Sequence, residues 1–240
     1  MTLIRLQKFL ASCGIGSRRK CEQYISEGRI RLDGQIVKEQ GMKIDPDANV
    51  ITFDGRKVEI QKKSWIMLNK PPMYICSTRD PSGKPSFLEL IPNNLGRLYA
   101  VGRLDYMSEG LLLVTNDGGI AYKLTHPRYE IKKVYEVRTL DKLTQAQMRQ
   151  MCEGIESKNE ILKVLNIKEI NENEDKKIYE ITLGEGKNRH IRRMMAELGV
   201  HIVYLKRIAI GPIKLGDIKK GEWRFLKQNE IKDLKKAVNS

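Results

Sequence analysis

The sequence predicts an α+β protein with a small N-terminal module and a larger domain built on a mixed, mainly antiparallel sheet. Two helical patterns and a hairpin fill the first part of the chain, and many strand patterns with short connections follow. Regular β-α-β alternation is missing, which argues against a Rossmann fold. We expect the domains at 1–60 and 65–240, with the polar stretch QKKS (61–64) as a linker.

The composition is that of a globular protein with a strong excess of positive charge. The 240 residues include 44 Lys+Arg against 30 Asp+Glu, a formal net charge of +14. Such a charge favours a polyanion or an acidic membrane surface as partner. A basic amphipathic helix with an aromatic-rich face is missing, as is an apolar run long enough to span a membrane. RNA or DNA is therefore the expected partner; the alternative is a protein merely kept soluble by its charge.

Metal and cofactor sites are not predicted. The three histidines have no metal-ligand spacing, and no GxGxxG or Walker motif appears, so we expect neither a metal nor a cofactor. The cysteines form no CxxC pair, which predicts reduced, buried thiols in a cytosolic protein; they are Cys13, Cys21, Cys76 and Cys152.

The first 60 residues contain clear helix and turn signals. Apolar spacing predicts a helix over 3–12, and Ser17 can cap a second helix that runs to about Ser26 and is closed by Gly28. Asp33-Gly34 and Asp54-Gly55 each stand between short strand patterns and predict hairpin turns of type I′.

The second helix begins with three cations, Arg18, Arg19 and Lys20. The helix dipole disfavours cations in a first turn, but a phosphate over the helix N-terminus would reverse that effect. The alternative is a solvated basic turn whose small cost is tolerated.

The stretch RLQKFLASCGIGSRRKCEQYISEGRIRLDGQIV resembles the S4 RNA-binding domain, and the resemblance covers most of residues 3–58. It implies that the two-helix face and the following hairpin bind structured RNA. The basic residues that would form this face are Arg5, Lys8, Arg18, Arg19, Lys20 and Arg29.

From residue 65 onward the chain is dominated by strand patterns. The predicted strands lie in WIMLNKPP, GRLYAVGRLD, GLLLVTNDG, KVYEVRT, ILKVLNIKEI, KKIYEITL, VYLKRIAIGPIKL and GEWRFL. Asn-Asp-Gly (116–118) and NENED (171–175) are predicted turns. Helices are predicted from near Leu143, over NRHIRRMMAELG up to Gly199, and at the C-terminus.

The helix around residues 189–198 suggests a buried arginine. Its apolar stripe contains Ile191, Met194, Met195 and Leu198, and Arg189 and Arg193 point away from it. Arg192 lies at the edge of this stripe, where a half-buried guanidinium favours a bidentate anion; Asp105 is the candidate within the chain. The alternative is that Arg192 extends to solvent.

Asp105 stands in GRLDYMSEGLLLVTNDG, at the entrance to a buried strand. An aspartate in such a turn can simply hydrogen-bond local backbone. The chain has no nuclease metal cluster, no Ser/His/Asp order and no cysteine paired with histidine. A carboxylate oriented by an arginine could instead act as nucleophile or base on a nucleotide without metal or cofactor.

This motif resembles the catalytic motif of the RsuA/RluB/RluF-type ribosomal RNA pseudouridine synthases. The similarity continues through NKPP, HPRYEIKKVYEV, EGKNRHIRRM, LKRIAIG and GEWRFL, so it covers nearly the whole chain. An N-terminal S4 domain before this catalytic domain is the arrangement typical of the family.

The resemblance implies a role for each matching residue. Asp105 would be the essential aspartate, which attacks or deprotonates the uridine, and Arg192 the arginine that pairs with it. Tyr135 would stack on the target base, although a strand tyrosine packed in the core is the alternative. Arg103 would fill the RNA stack that the flipped base leaves, and Leu205 would pack over the uracil.

Three features depart from the family pattern. Asn-Arg-His (188–190) replaces the His-Gln pair that many relatives carry before the arginine. Met107 stands where Asp or Asn is common, and Met73 where glycine usually follows the Lys-Pro-Pro turn. These departures bear on the substrate more than on activity.

The sequence therefore predicts a monomeric, cytoplasmic, site-specific pseudouridine synthase. Its expected partner is ribosomal RNA, either 23S RNA or a large-subunit assembly intermediate. The alternatives are a small-subunit (16S) enzyme and an S4-type RNA-binding or ribosome-assembly factor without catalysis.

Overall fold

We describe a computed structural model of the chain, for residues 3–78, 82–170 and 177–239. The chain forms two compact units. The first contains the chain up to Ser64 together with Asn94–Leu98 and Asn116–Gly118; the second contains Trp65–Asn93, Tyr99–Thr115 and the chain from Gly119 onward. Among the described residues, no helix has the length and apolar character needed to cross a membrane.

The first unit combines two short helices with a small sheet. Its helices are α1 (Leu6–Ser12) and α2 (Arg18–Ser26), and its strands are β1 (Ile4–Arg5), β2 (Ile30–Leu32), β3 (Gln35–Val37), β4 (Lys43–Ile44), β5 (Ile51–Phe53) and β6 (Arg56–Lys57). One sheet has the order β3-β2-β5-β6, and β1 pairs with β4. The apolar faces of both helices and of the sheet share one core.

The turn and cap signals of this unit have the predicted geometry. The Ser17 hydroxyl accepts a hydrogen bond from Lys20 N–H at 3.1 Å, which caps α2. Both residues of Asp33-Gly34 have positive φ angles, 50° and 84°, as a type I′ turn requires. Helix α1 begins at Leu6 and not at residue 3, because Ile4–Arg5 pairs with β4 as a strand.

The stretch predicted as a linker is anchored by hydrogen bonds. Gln61 N–H donates to the Ser12 carbonyl at 3.1 Å, and Ser64 N–H donates to the Asn116 side chain at 2.9 Å. Lys63 forms an ion pair with the buried Asp117 at 2.9 Å. The Asn-Asp-Gly segment therefore holds this stretch within the first unit.

The second unit is built on one large sheet. Its strands are β7 (Trp65–Lys70), β8 (Tyr99–Ala100), β9 (Glu109–Thr115), β10 (Lys133–Thr139), β11 (Ile155–Ser157), β12 (Glu160–Leu162), β13 (Asn166–Glu169), β14 (Ile178–Leu183), β15 (Ile202–Ile210), β16 (Ile213–Lys214) and β17 (Trp223–Phe225). Its helices are α3 (Gly118–Thr125, whose first residue belongs to the first unit), α4 (Gln145–Glu153), α5 (His190–Glu197) and α6 (Gln228–Ala237). It also contains 3₁₀ turns at Phe87–Leu90 and Pro127–Tyr129, and a third at Asn93–Leu95 spans the boundary between the two units along the chain.

The sheet confirms the predicted α+β class with a mixed, mainly antiparallel sheet. Its order is β13-β14-β10-β15-β9-β7-β17, with β16 on β15 and β8 on β9. β15 pairs in parallel with β9 and in antiparallel with β10. All residues of β9 are buried, which agrees with its continuous apolar run.

Several local predictions differ from the structure. Helix α3 was not predicted, and α4 begins at Gln145, because Thr144 supplies its N-cap. ILKVLNIKEI forms two strands, β12 and β13. The predicted NENED turn lies outside the described residues.

Two side-chain predictions are also wrong. All four cysteines are free as predicted, but two are not buried: Cys76 is partly exposed, and Cys152 is exposed near the end of α4. Arg193 does not project freely away from the core: its side chain is 11% exposed and reaches Glu160 on β12 at 2.7 Å.

Candidate active site

Asp105 lies in a tight turn immediately before β9. Ser108 N–H donates to the Asp105 carbonyl at 3.0 Å, which places Tyr106 and Met107 at the centre of the turn. Just before the turn, Leu104 N–H donates to the Cys76 sulfur at 3.3 Å. The backbone is thus fixed by hydrogen bonds, while the Asp105 side chain remains 33% exposed.

Arg192 on α5 contacts this turn. Its Nε atom lies 3.9 Å from Asp105 Oδ2, and the Arg192 side chain is 20% exposed. Its Nη2 donates to the Met107 carbonyl and the Ser108 hydroxyl, both at 3.3 Å. Burial lowers the Arg192 pKa, and the charge of Asp105 opposes this shift. The contact is therefore an ion pair supported by the turn, not the bidentate pair expected from the sequence.

Asp105 and Arg192 line a pocket of about 120 Å³ in the second unit. The pocket is bounded by the loop before β9, by strands β10 and β15, and by the start of α5. Asp105 is its one acidic lining residue among those described, whereas six are basic: Arg103, Lys133, Lys187, Arg189, Arg192 and Arg207. A lining with this charge suits a negatively charged ligand.

Tyr135 and Leu205 also line the pocket, from neighbouring strands. Tyr135 is 8% exposed and Leu205 6% exposed. The pairing of β10 with β15 shifts register between Val134 and Tyr135, an irregularity of the kind that redirects a side chain. Arg103 is exposed at the pocket rim. The structure therefore brings together Asp105, Arg192, Tyr135, Leu205 and Arg103.

The predicted RNA-binding cations of the first unit do not line this pocket. The exposed ones are Arg5, Lys8, Arg18, Arg19 and Lys20. Arg29 differs because its Nε donates to Asp54 at 3.0 Å and its guanidinium stacks on Tyr24 and Phe53, at 4.4 and 4.6 Å. The hydrogen bond to Asp54 raises the Arg29 pKa, so this side chain is partly engaged within its own unit.

A family model described as RNA pseudouridylate synthase matches residues 64–197, more than half of the 240-residue chain. The chain belongs to this family. A second model, that of the S4 domain, matches residues 4–50. Both family resemblances seen in the sequence are thereby confirmed.

Similar proteins support this membership over nearly the full length. An "Uncharacterized RNA pseudouridine synthase" of Aquifex aeolicus is 41% identical over 239 residues, covering 99% of this chain and 96% of that protein. The "Ribosomal large subunit pseudouridine synthase B" of Bacillus subtilis is 35% identical, covering 96% and 95%. A solved structure, "Crystal structure of pseudouridylate synthase", has 31% identity and a TM-score of 0.68, covering 96% of this chain and 99% of that one.

The chain is therefore an RNA pseudouridine synthase: an isomerase that converts uridine into pseudouridine in an RNA substrate. In and next to the pocket of this enzyme lie four titratable or cationic groups that sequence reasoning did not identify: Lys70, Lys133, His190 and Arg207. Two of them, Lys70 and Arg207, donate hydrogen bonds to backbone carbonyls of the Asp105 turn and its flanks.

Lys70, the last residue of β7, is fully buried. Its ammonium donates to the carbonyls of Pro71 and Ser108, each at 2.8 Å, and so supports the end of the Asp105 turn. Burial lowers the Lys70 pKa to about 8. The sequence signal was a lysine that directly continues an apolar strand and precedes Pro-Pro.

Arg207 on β15 holds the same loop from its other side. It is 2% exposed, and its guanidinium donates to the carbonyl of Leu111 at 2.8 Å and to that of Arg103 at 3.4 Å. These carbonyls flank the Asp105 turn. The signal was the period-two pattern of β15, in which Arg207 shares the buried face of Leu205 and Ala209.

Two other titratable residues line the pocket, the half-buried Lys133 and the buried His190. Lys133 donates to the Ile131 carbonyl at 2.8 Å, and burial lowers its pKa to about 8. His190 is 4% exposed at the start of α5, and burial lowers its pKa. The histidine is thus neutral at pH 7, and the positive charge of the pocket comes from its lysines and arginines.

Proposed function

We propose that this enzyme isomerises one specific uridine of ribosomal RNA, in the large subunit, and that Asp105 is its essential catalytic residue. The main support is the position of Asp105, an acidic group in a basic pocket with Arg192 beside it at 3.9 Å. The large-subunit assignment is supported by the similarity to the Bacillus subtilis protein named for that subunit.

The reaction requires little more than a positioned carboxylate. Asp105 acts as nucleophile or as base, the bond from N1 of the uracil to the ribose breaks, and a bond from C5 to the ribose forms. The proton on C5 is released and N1 gains one, so no water, metal or redox partner is consumed. Arg192 orients the Asp105 carboxylate, through the contacts it makes with the turn.

The other pocket residues receive and hold the base. A uridine in folded RNA must leave its stack, which costs a few kcal/mol. Stacking on an aromatic side chain recovers about 1–3 kcal/mol, and Tyr135 is the aromatic residue in the pocket lining. Leu205 packs over the uracil, and Arg103 at the rim takes the position that the base leaves.

The S4 module supplies affinity for the surrounding RNA. Its exposed cations bind phosphates without reading sequence, and Arg29 contributes less because Asp54 engages it. The substrate is 23S RNA or an assembly intermediate of the large subunit, and the enzyme acts as a monomer in the cytoplasm without metal or cofactor.

The test is a base-resolution map of pseudouridine in ribosomal RNA from cells that lack this protein. Complementation uses the intact protein, Asp105→Asn, and Asp217→Asn as a matched control, because Asp217 is an exposed carboxylate outside the pocket. We expect one site to disappear, and to return with the intact protein and the control but not with Asp105→Asn.

An in vitro assay complements the map. RNA carrying tritium at C5 of uridine should release it with the intact protein, while Asp105→Asn binds the RNA with unchanged affinity and releases none. Identical maps in all strains would contradict a ribosomal substrate and favour a binding factor. Full activity of Asp105→Asn would remove Asp105 from the mechanism.

A further inference from the structure

Two exposed methionines lie at the Asp105 turn, one within it and one hydrogen-bonded to it. Met73 is 57% exposed and Met107 is 59% exposed, although large apolar side chains are normally buried. Met107 stands within the turn, two residues after Asp105, which is at most about 7 Å along the chain. Met73 is joined to the same turn, because its N–H donates to the Tyr106 carbonyl at 2.7 Å.

Met73 adopts a backbone conformation that its side chain disfavours. Its φ angle is 65°, in the left-handed region that glycine enters freely and other residues enter at a cost. Strained backbone of this kind tends to occur where the surrounding structure uses it for function. A methionine that is both strained and exposed contributes little to folding, so its side chain calls for another explanation.

Several hydrogen bonds hold the backbone that carries these methionines. The Tyr106 carbonyl accepts from Met73, the Met107 carbonyl accepts from Arg192, and Lys70 links the carbonyls of Pro71 and Ser108. These contacts fix the backbone from which both side chains project. Lys84 adds a positive charge at this surface, since its ammonium lies 5.0 Å from the centre of the Tyr106 ring.

We propose that Met73 and Met107 form an apolar platform for a nucleobase that neighbours the target uridine, and so help to select the RNA context. This inference rests on the proposed function of the pocket. A phosphate would not favour two thioethers, whereas the face of an unstacked base does, and sulfur–aromatic contacts are favourable. The nearby Lys84 suits the backbone of the same strand.

The test measures tritium release from the RNA segment identified by the map, with Met73→Gly and Met107→Ser. Glycine relieves the backbone strain at position 73, so Met73→Gly should raise the Tm. The same variant should raise the KM for RNA about tenfold, and this change should exceed any decrease in kcat. Met107→Ser should raise KM similarly, and Met107→Leu should restore it. Leu140→Ser is the control, because Leu140 is 61% exposed and outside the pocket lining; its KM and kcat should not change.

The contact itself is tested with RNA in which either neighbour of the target uridine is abasic. For the intact enzyme, kcat/KM should be about tenfold lower with one of these abasic RNAs than with natural RNA. For the double variant Met73→Gly/Met107→Ser, kcat/KM should be the same with both RNAs, because the platform is already missing. The platform would be overturned if the KM for RNA were unchanged in both single variants while Met73→Gly raised the Tm. It would also be overturned if the abasic RNA lowered kcat/KM equally in the intact enzyme and in the double variant. In either case an active intact enzyme leaves the proposed function standing, whereas an inactive one refutes that function instead.

Discussion

At the scale of single residues, the site depends on buried cations that donate to backbone carbonyls. Lys70 and Arg207 contact the carbonyls of Pro71, Ser108, Leu111 and Arg103 around the Asp105 turn. These hydrogen bonds involve charged donors, which are stronger than those between neutral groups. The arrangement holds the Asp105 backbone in place, while the carboxylate remains partly exposed beside Arg192.

The buried Lys70 makes stability depend on pH. Its folded pKa is about 8 against an ordinary 10.5, so between these values the unfolded chain holds a proton that the folded chain has lost. Stability must then rise with pH through this window. We expect the free energy of unfolding of the intact protein, relative to that of Lys70→Met, to increase by about 2 kcal/mol between pH 7 and pH 10.

Urea denaturation followed by tryptophan fluorescence measures this difference in the second unit, where both tryptophans, Trp65 and Trp223, lie. The other titrating groups, such as Lys133 and the buried cysteines, are present in both proteins and cancel in the comparison. Parallel pH profiles for the two proteins would show that Lys70 carries no shifted pKa.

At the scale of elements, the site depends on the contact between β9 and β15. Gly110 pairs in parallel with Arg207, and its φ angle is 102°. A Cβ atom at Gly110 would lie 2.3 Å from the Arg207 carbonyl oxygen and 2.8 Å from its nitrogen. Glycine is therefore required at this position for the two strands to approach.

We expect Gly110→Ala to destabilise the second unit by about 3 kcal/mol or more, because the clash is with backbone that cannot move aside. Thermal unfolding measures the effect. Gly186→Ala is the matched control, since nothing lies within 4 Å of its Cβ position; there alanine should be neutral or slightly stabilising. Similar Tm values for both variants would contradict this account of the strand contact.

At the scale of the whole molecule, the net charge of +14 matters mainly for binding. Arg18→Glu with Arg19→Glu reverses two exposed cations of the S4 module. We expect weaker RNA binding and a plot of log affinity against log salt that is shallower by about 1.5–2.

A salt titration with a structured RNA measures this slope. Lys232→Glu with Lys235→Glu changes the net charge equally on the exposed face of α6, and serves as the control. If both pairs flatten the slope equally, total charge accounts for the binding and the S4 helix has no special part in it.

The sequence predicts most elements because their signals are local. Ser17 caps α2, and Asp33-Gly34 forms the expected turn, through interactions within a few residues. The strand β9 is recognisable from its apolar run alone. The sequence does not predict helix α3, because the helix begins with Gly118-Gly119, which have low helix propensity, directly after a segment typical of a turn.

What the sequence could not supply is long-range placement. No local sequence pattern indicates that β15 pairs with both β9 and β10. The sequence therefore does not predict the carbonyl partners of Arg207. The sequence predicts a bidentate contact between Arg192 and Asp105, but the observed distance of 3.9 Å depends on how α5 packs. Such distances follow from tertiary packing, which no local pattern encodes.

The position of β15 in the sheet has a consequence for synthesis on the ribosome. β15 begins at Ile202 of 240 residues, yet it joins the two halves of the sheet. Until it emerges, β9 and β10 lack their shared neighbour and the Asp105 turn lacks Arg207. The helices and strands of the S4 module are complete by Lys57. A nascent chain therefore gains the means to hold RNA well before it gains the means to modify it.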